Sequence, residues 1–246
     1  MIKYQNVSMS YPDSEKVLDN LNFNIDKGEF FVIVGPSGSG KTTTLKLINR
    51  LNKENEGDIF LNDKNIRDYP LREFRLNMGY VLQEIALFPN MTVAENIGLI
   101  PEMKKMDKKT ISKITDKLLL EVGLDPKEYK NRLPKELSGG EKQRIGILRA
   151  IAANPEVLLM DEPFSALDPI SRTQLQDLVT KIHNDYKITT VFVTHDMNEA
   201  VKLADRICIM KDGKIIQIGT PTEIINNPKN KFVSQFFENE SELIDE

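Results

Sequence analysis

The chain has 246 residues, 40% apolar and 28% charged, with 13 Gly, 12 Pro and one cysteine; this excludes collagen-like, low-complexity and disulfide-stapled classes and suits one large domain, with or without an inserted subdomain. Thirty-three basic against 37 acidic residues leave a net charge of −4, so no global field favours nucleic acid and any bound anion must be held locally. The start "MIKYQNVSMSYPD" lacks a signal-peptide apolar stretch, no run approaches the roughly 20 apolar residues of a membrane span, and the lone Cys208 suits a reducing compartment, so the chain is expected in the cytosol with Cys208 a small core residue.

The first 30 residues read as two or three strands, with turns at "YPDSEK" (11–16) and "DKGE" (26–29). "FFVIVG" (30–35) is a continuous apolar run, as expected of a strand buried on both faces, and leads through a Gly/Ser loop into "KTTTLKLINRL" (41–51) at helical spacing. "GDIFLNDKNI" (57–66) reads as a hairpin and "MGYVLQ" (78–83) as a short strand. Between about 84 and 155 the pattern turns helical, in "KKTISKITDKLLLEVGL" and "GGEKQRIGILRAIAANP", broken by Pro89, Pro101, Pro126 and Pro134. This stretch is expected to be a helical subdomain inserted in an α/β core. Two further buried strands, "VLLMD" (157–161) and "TTVFVTH" (189–195), flank the helical "ISRTQLQDLVTKIHNDY". A hairpin follows in "RICIMKDGKIIQIG", turning at Asp212-Gly213, and the acidic tail 238–246 is expected to be solvated.

"GPSGSGKT" (35–42) lies between an apolar strand and a helix, the context in which G-x-x-x-x-G-K-[ST] forms a phosphate cradle. Gly35, Gly38 and Gly40 let backbone N–H groups converge on phosphate oxygens, Lys41 reaches the β/γ-phosphates, and Thr42 offers a hydroxyl to Mg²⁺. "VLLMDEP" brings Asp161 to a strand end, where it can hold Mg²⁺ through water, with Glu162 next to it able to act on a water attacking the γ-phosphate. His195 ends the next apolar strand, at the same edge of a parallel sheet, and can contact the γ-phosphate, whereas His183, mid-helix among polar residues, is expected to be exposed.

"LSGGEKQR" (137–144) holds a capping box, Ser138 with Glu141. The box explains Ser and Glu but leaves Gly139-Gly140 unexplained, since glycines lower helix propensity and bare the first turn. Naked amides at a helix start suit a phosphate, so the chain has two phosphate-facing surfaces and one set of hydrolytic groups; a symmetric dimer, each copy completing the other's site, resolves this.

In order, Tyr11, "GPSGSGKT", Gln83, "LSGGE", "VLLMDEP", "SALD" and His195 resemble the nucleotide-binding subunit of an ATP-binding cassette (ABC) transporter, over almost the whole chain. The resemblance implies an α/β fold: a P-loop NTPase (RecA-like) core, an antiparallel β subdomain and the inserted α-helical subdomain, forming a single cassette over 1–237. It implies that Tyr11 stacks on adenine, although a strand-surface tyrosine is the alternative, and extends the ATP-binding set to Pro36, Ser37, Ser39 and Thr43. Gln83 would join Thr42 and Asp161 on Mg²⁺, Glu162 would be the catalytic base, with Lys41 and His195 beside it in catalysis, and Ser138, Gly139 and Gly140 would bind ATP held by the partner subunit. Asp168 resembles a residue that crosses the dimer seam, or it caps the next helix. The family usually has Gln where this chain has Glu141, and a carboxylate near a triphosphate is expected to weaken the dimer slightly.

The implied ligands are ATP and Mg²⁺. The implied partners are a second copy in a head-to-tail homodimer, integral membrane permease subunits and a substrate-binding protein or domain, with no nucleic acid, at the cytoplasmic face of the membrane. The apolar stretch "EIALFPNMTVAENIGLIP" after Gln83 is either core packing or the groove that receives a permease helix. Several long stretches are similar to importer ATPases for quaternary amines of the glycine betaine, carnitine and choline class. Many of these carry C-terminal regulatory (CBS) domains; this sequence stops near Phe237 plus the tail, so gating through such domains is not expected and a betaine-like thione or another small amine stays open as cargo. A polar amino-acid importer is the alternative, and a non-transport ABC ATPase the minority reading.

Overall fold

The computed structural model describes residues 1–12, 15–165 and 167–241; two residues of the first expected turn, Ala166 of "SALD" and residues 242–246 of the tail lie outside them. The chain divides into two units, Met1–Pro70 with Lys187–Glu246, and Leu71–Tyr186.

In the first unit, β1 (Ile2–Ser10) and β2 (Lys16–Ile25) are followed by β3 (Phe30–Val34), α1 (Lys41–Ile48), β4 (Glu56–Leu61) and β5 (Lys64–Asn65). Among the described residues two strands precede β3, and with β4 and β5 they form an antiparallel sheet in the order β2-β1-β4-β5. The second unit holds α2 (Leu71–Leu76), β6 (Met78–Val81), α3 (Val93–Met103), α4 (Lys108–Glu121), α5 (Pro126–Tyr129), α6 (Gly139–Ile151), β7 (Val157–Asp161) and α7 (Pro169–Tyr186). The first unit resumes with β8 (Thr189–Thr194), α8 (Met197–Leu203), β9 (Arg206–Lys211), β10 (Lys214–Gly219), α9 (Pro221–Asn226) and α10 (Lys231–Ser241).

The run "FFVIV" is buried at every position of β3, as a strand covered on both faces requires. β3 pairs parallel with β8 and with β9, and β9 turns into β10 through Asp212 and Gly213, both at positive φ (49 and 72), the geometry that makes Asp-Gly a hairpin turn. Stacked rings of Tyr4, Phe23 and Phe31, with centroids 4.4 and 5.6 Å apart, join β1, β2 and β3. The buried Tyr4 hydroxyl donates to the Thr44 carbonyl at 2.7 Å and so ties α1 to the antiparallel sheet.

In the second unit β6 and β7 pair parallel, α6 and α2 pack against β6, and α3 packs on α4 and α6. This unit begins at 71 and ends at 186, so it takes in α2, β6, β7 and α7 as well as the helical stretch 84–155. Pro101 lies inside α3 and does not break it. Proline already has a helical φ, and its missing N–H costs one bond near the end of the helix, where Lys104 N still donates to Ile100 O. Pro126 instead starts a helix, the position where a missing N–H matters least. The tail expected from 238 begins inside α10, because Phe232 and Phe236 stack one turn apart (5.6 Å) and Val233 is buried. Among the described residues no helix is long and apolar enough to cross a membrane.

Candidate functional site

The first unit carries the cradle. Gly40, at φ 97, is the N-cap of α1, and a Cβ there would lie 2.5 Å from Leu18 Cδ2. Gly35 passes so close to β9 that a Cβ would lie 2.2 Å from the Met210 carbonyl oxygen. The loop is pinned by Ser39 N donating to Pro36 O (3.2 Å) and by Gly213 N of the β9–β10 turn donating to Ser39 O (3.2 Å). Pro36 is half-buried, while Ser37 and Gly38 face solvent. Lys41, only 5% exposed, donates from Nζ to the carbonyls of Gly35 (2.7 Å) and Pro36 (3.1 Å), so its ammonium is held over the mouth of the loop. Ser39 Oγ is buried with no partner among the described residues. An orphaned hydroxyl, a poised ammonium and a helix N-terminus in one loop fit a polyphosphate.

Thr42 is half-buried in the first turn of α1, and Thr43 next to it is buried. Tyr11 lies past the end of β1, not on its surface; its hydroxyl sits 3.5 Å from Thr43 Oγ1 and accepts from Asn52 Nδ2 at 3.0 Å. A 43% exposed ring is thereby fixed beside the cradle. Val34 and Thr194 are register partners in parallel strands, so Gly35 and His195 leave the sheet at the same carboxyl edge. His195 is exposed.

The second unit carries the carboxylates. Val81 and Met160 are register partners, which brings Asp161 and, past the strand end, Gln83 to one edge of the β6–β7 pair. The expected strand "MGYVLQ" stops at Val81, leaving Gln83 in an exposed loop. Asp161 is 5% exposed. Burial first, and then the charge of Asp161, push the Tyr80 hydroxyl of β6 well above the ordinary phenol range. Glu162 is half-buried at φ 44, a left-handed conformation that costs a non-glycine residue about 1–3 kcal/mol. Its carbonyl accepts from Ser165 N (3.3 Å) and Ser165 Oγ (3.0 Å), which holds the turn.

Ser138 caps α6: its Oγ accepts from Glu141 N (3.3 Å), and Glu141 Oε2 accepts from Ser138 N (2.7 Å). Neither box member reaches the amides of Gly139 and Gly140, which have no partner among the described residues. A Cβ on Gly139 would meet nothing within 4 Å, and one on Gly140 only the Ser171 side chain at ordinary contact. Asp168 caps α7: Oδ1 accepts from Ile170 N (3.1 Å) and Ser171 N (3.0 Å), and bonds from Ser171 hold its carboxyl below the usual range. His183 is half-buried and has partners, not exposed as expected, because it lies on α7 beside the buried Val179 and Ile182.

Three supporting residues escape a reading along the chain. Gln143 is 3% exposed, and its Nε2 donates to Pro163 O at 2.6 Å, linking α6 to the turn after Glu162; a polar residue in line with the buried Ile147 and Ile151 is the signal for it. Thr194 Oγ1 donates to the buried Glu199 (2.6 Å) and accepts from Asp196 N (3.0 Å), fixing the His195 turn. Tyr129 donates to Glu141 Oε1 at 2.6 Å. Among the described residues, no group of three or more His, Cys, Asp or Glu could hold a metal by itself. Thr42 in the first unit, and Gln83 and Asp161 in the second, each offer an oxygen donor of the kind Mg²⁺ takes, a cation that binds few protein oxygens.

Residues 18–165 match the family model described as ABC transporter. The chain is 50% identical over 236 residues to the choline transport ATP-binding protein OpuBA of Bacillus subtilis (strain 168), covering 96% of this chain and 62% of that protein. It is 44% identical over 237 residues to the glycine betaine uptake system ATP-binding protein YehX of Escherichia coli (strain K12), covering 96% and 76%. It thus spans about three fifths of the length of OpuBA. The dimeric structure of a post-hydrolysis state of the ATP-binding cassette MJ0796, bound to ADP and Pi, matches with a TM-score of 0.80 at 35% identity over 90% of this chain and 99% of that one.

Proposed function

Because the chain belongs to the ABC transporter family, we propose that it is the ATP-hydrolysing subunit of an importer for a small quaternary amine or betaine-like solute. It works as a head-to-tail homodimer at the cytoplasmic face of the membrane, with separate permease subunits and a substrate-binding protein or domain. The cargo class is supported by the relatives, whose names give choline for OpuBA and glycine betaine for YehX. The observation that carries the dimer is the bare start of α6: neither backbone conformation nor packing within the chain asks for glycine at 139 and 140. What asks for it is close approach from outside.

In this mechanism Tyr11 stacks on adenine, residues 35–43 wrap the phosphates, and Lys41 exchanges the Gly35 and Pro36 carbonyls for β/γ-phosphate oxygens. Thr42, Gln83 and Asp161 would hold Mg²⁺, which would supply charge neutralisation for the phosphates. Ser138, Gly139 and Gly140 of the partner subunit close on the γ-phosphate, and Asp168 of the partner subunit lies at the seam. Glu162 polarises a water and takes its proton as the new O–P bond forms and the bond to the β-phosphate oxygen breaks, while His195 orients water and phosphate. Most of the acceleration is positioning and charge stabilisation by preorganised amides. The apolar segment after Gln83, including the 49% exposed Phe88, is the face for the permease.

The test is to purify the chain with its membrane partner and follow thermal stabilisation by choline, glycine betaine, carnitine and polar amino acids. A rise in melting temperature with the quaternary compounds is expected. A response confined to amino acids, or recovery of no membrane partner, overturns the cargo or the transport role respectively.

A further inference from the structure

Glu141 is tied down more firmly than a capping residue requires. One carboxylate oxygen accepts from Ser138 N at 2.7 Å and the other from the Tyr129 hydroxyl at 2.6 Å. The Arg132 guanidinium lies 4.2 Å from the centre of the Tyr129 ring and pairs with Glu128 one turn before it. Tyr129, foremost among these partners, holds the Glu141 carboxyl below its usual range, and the same contact pushes the Tyr129 phenol up, so the phenol is the donor and the carboxylate the acceptor. Tyr129 does not float. The carbonyls of Lys130 and Arg132 accept from Ala94 N (3.0 Å) and Val93 N (2.9 Å) at the start of α3. Asn96 in turn donates to the carbonyls of Phe88, Met91 and Thr92. Hydrogen bonds, joined by the first turn of α3 and the short segment after Tyr129, therefore lead from the 88–92 loop to the first residue before α6.

The bare amides of Gly139 and Gly140 sit at the positive end of the α6 dipole and attract any anion within reach. The anion closest along the chain is the Glu141 carboxylate, on a side chain with freely rotating bonds. If it swung onto those amides it would occupy the ground that the proposed mechanism reserves for the partner's γ-phosphate. We propose that Tyr129 is a positioning residue for the start of α6: its hydroxyl holds the Glu141 carboxylate back against Ser138 and beside Arg132, so that the negative charge stays off the Gly139 and Gly140 amides. This rests on the dimer reading above. It also explains how the chain carries an acid here: Glu offers a separate oxygen to each of the two donors, whereas Gln has one acceptor oxygen and, with that on Ser138 N, turns its NH2 to donate to the phenol oxygen, keeping the cap without a charge to restrain.

The experiment is a double-mutant cycle in the full chain, using Glu162→Gln as the hydrolysis-blocked parent and measuring the ATP-dependent dimer constant by sedimentation. Tyr129→Phe is expected to weaken the dimer by about tenfold, the scale of one hydrogen bond to a charged group at a partly exposed site. In the Glu141→Gln background the same substitution is expected to change it less than about twofold, because no charge is left to stray. Melting temperatures of the four nucleotide-free proteins accompany the cycle; a Tyr129→Phe effect that follows lost fold stability in both backgrounds overturns the positioning role. So does a dimer constant that Tyr129→Phe leaves unchanged, or changes equally with and without Glu141. A parent that forms no ATP-dependent dimer overturns the dimer reading and, with it, the role of Tyr129.

Discussion

The cradle at 35–42 and the start of α6 at 138–141 are both glycine-rich approaches to a helix, yet the fold treats their glycines differently. Gly35 and Gly40 are required by the protein itself: a Cβ at either would be driven into Met210 O or Leu18. Gly139 and Gly140 have room for a side chain and have no positive φ. A glycine where its own chain does not need it points to a surface shaped for something else, and under the proposed dimer this contrast separates a cradle built within one chain from a surface that serves a second.

The sharpest way to break the contrast is Gly35→Ala. A Cβ 2.2 Å from a backbone oxygen forces β3 away from β9, and a loss of about 3 kcal/mol is expected, read as a lower melting temperature without nucleotide. An unchanged melting temperature would show that the cradle's glycines, too, serve only the ligand. Ser138→Arg tests the other side. Steady-state hydrolysis is expected to fall about 100-fold or more, as when a preorganised anion-binding donor is lost, while monomers still bind nucleotide through 35–43. Full turnover in that variant would remove the second phosphate-facing surface. The smallest effect is also the most telling: Gly139→Ala adds a methyl to open space and improves helix propensity, so the unfolding free energy from denaturant titration is expected to hold or rise by up to about 1 kcal/mol. The ATP-dependent dimer of the same variant is expected to weaken about tenfold, on the scale of one obstructed phosphate contact. A loss of monomer stability instead would make Gly139 a structural glycine like Gly35.

The two regions also differ in how far they can be read from the chain. The cradle follows from spacing, since an apolar strand, a Gly/Ser loop and a lysine at a helix start fix their own geometry within a few residues. Asp161 and Glu162 are legible as the end of a buried run, and Asp212-Gly213 as a turn with two positive φ angles. Around α6 only the capping box is legible, because Ser138 and Glu141 are three residues apart. The Gln143 bond to Pro163 and the Tyr129 bond to Glu141 join segments whose meeting depends on which helices pack together. Pro101 was misread for a related reason: proline's cost to a helix depends on where along it the missing N–H falls.

The strand–loop–helix cradle, the carboxylate pair at a strand end and the capped helix start can be read off the residues alone, because backbone sterics and hydrogen bonds act over three or four residues and residue type settles them. That Asp168 caps α7, that Thr194 and Glu199 brace the His195 turn, and that Glu141 is restrained by Tyr129 become visible in the folded chain alone. Those choices belong to side chains whose partners are set by packing, and packing is a property of the folded chain as a whole.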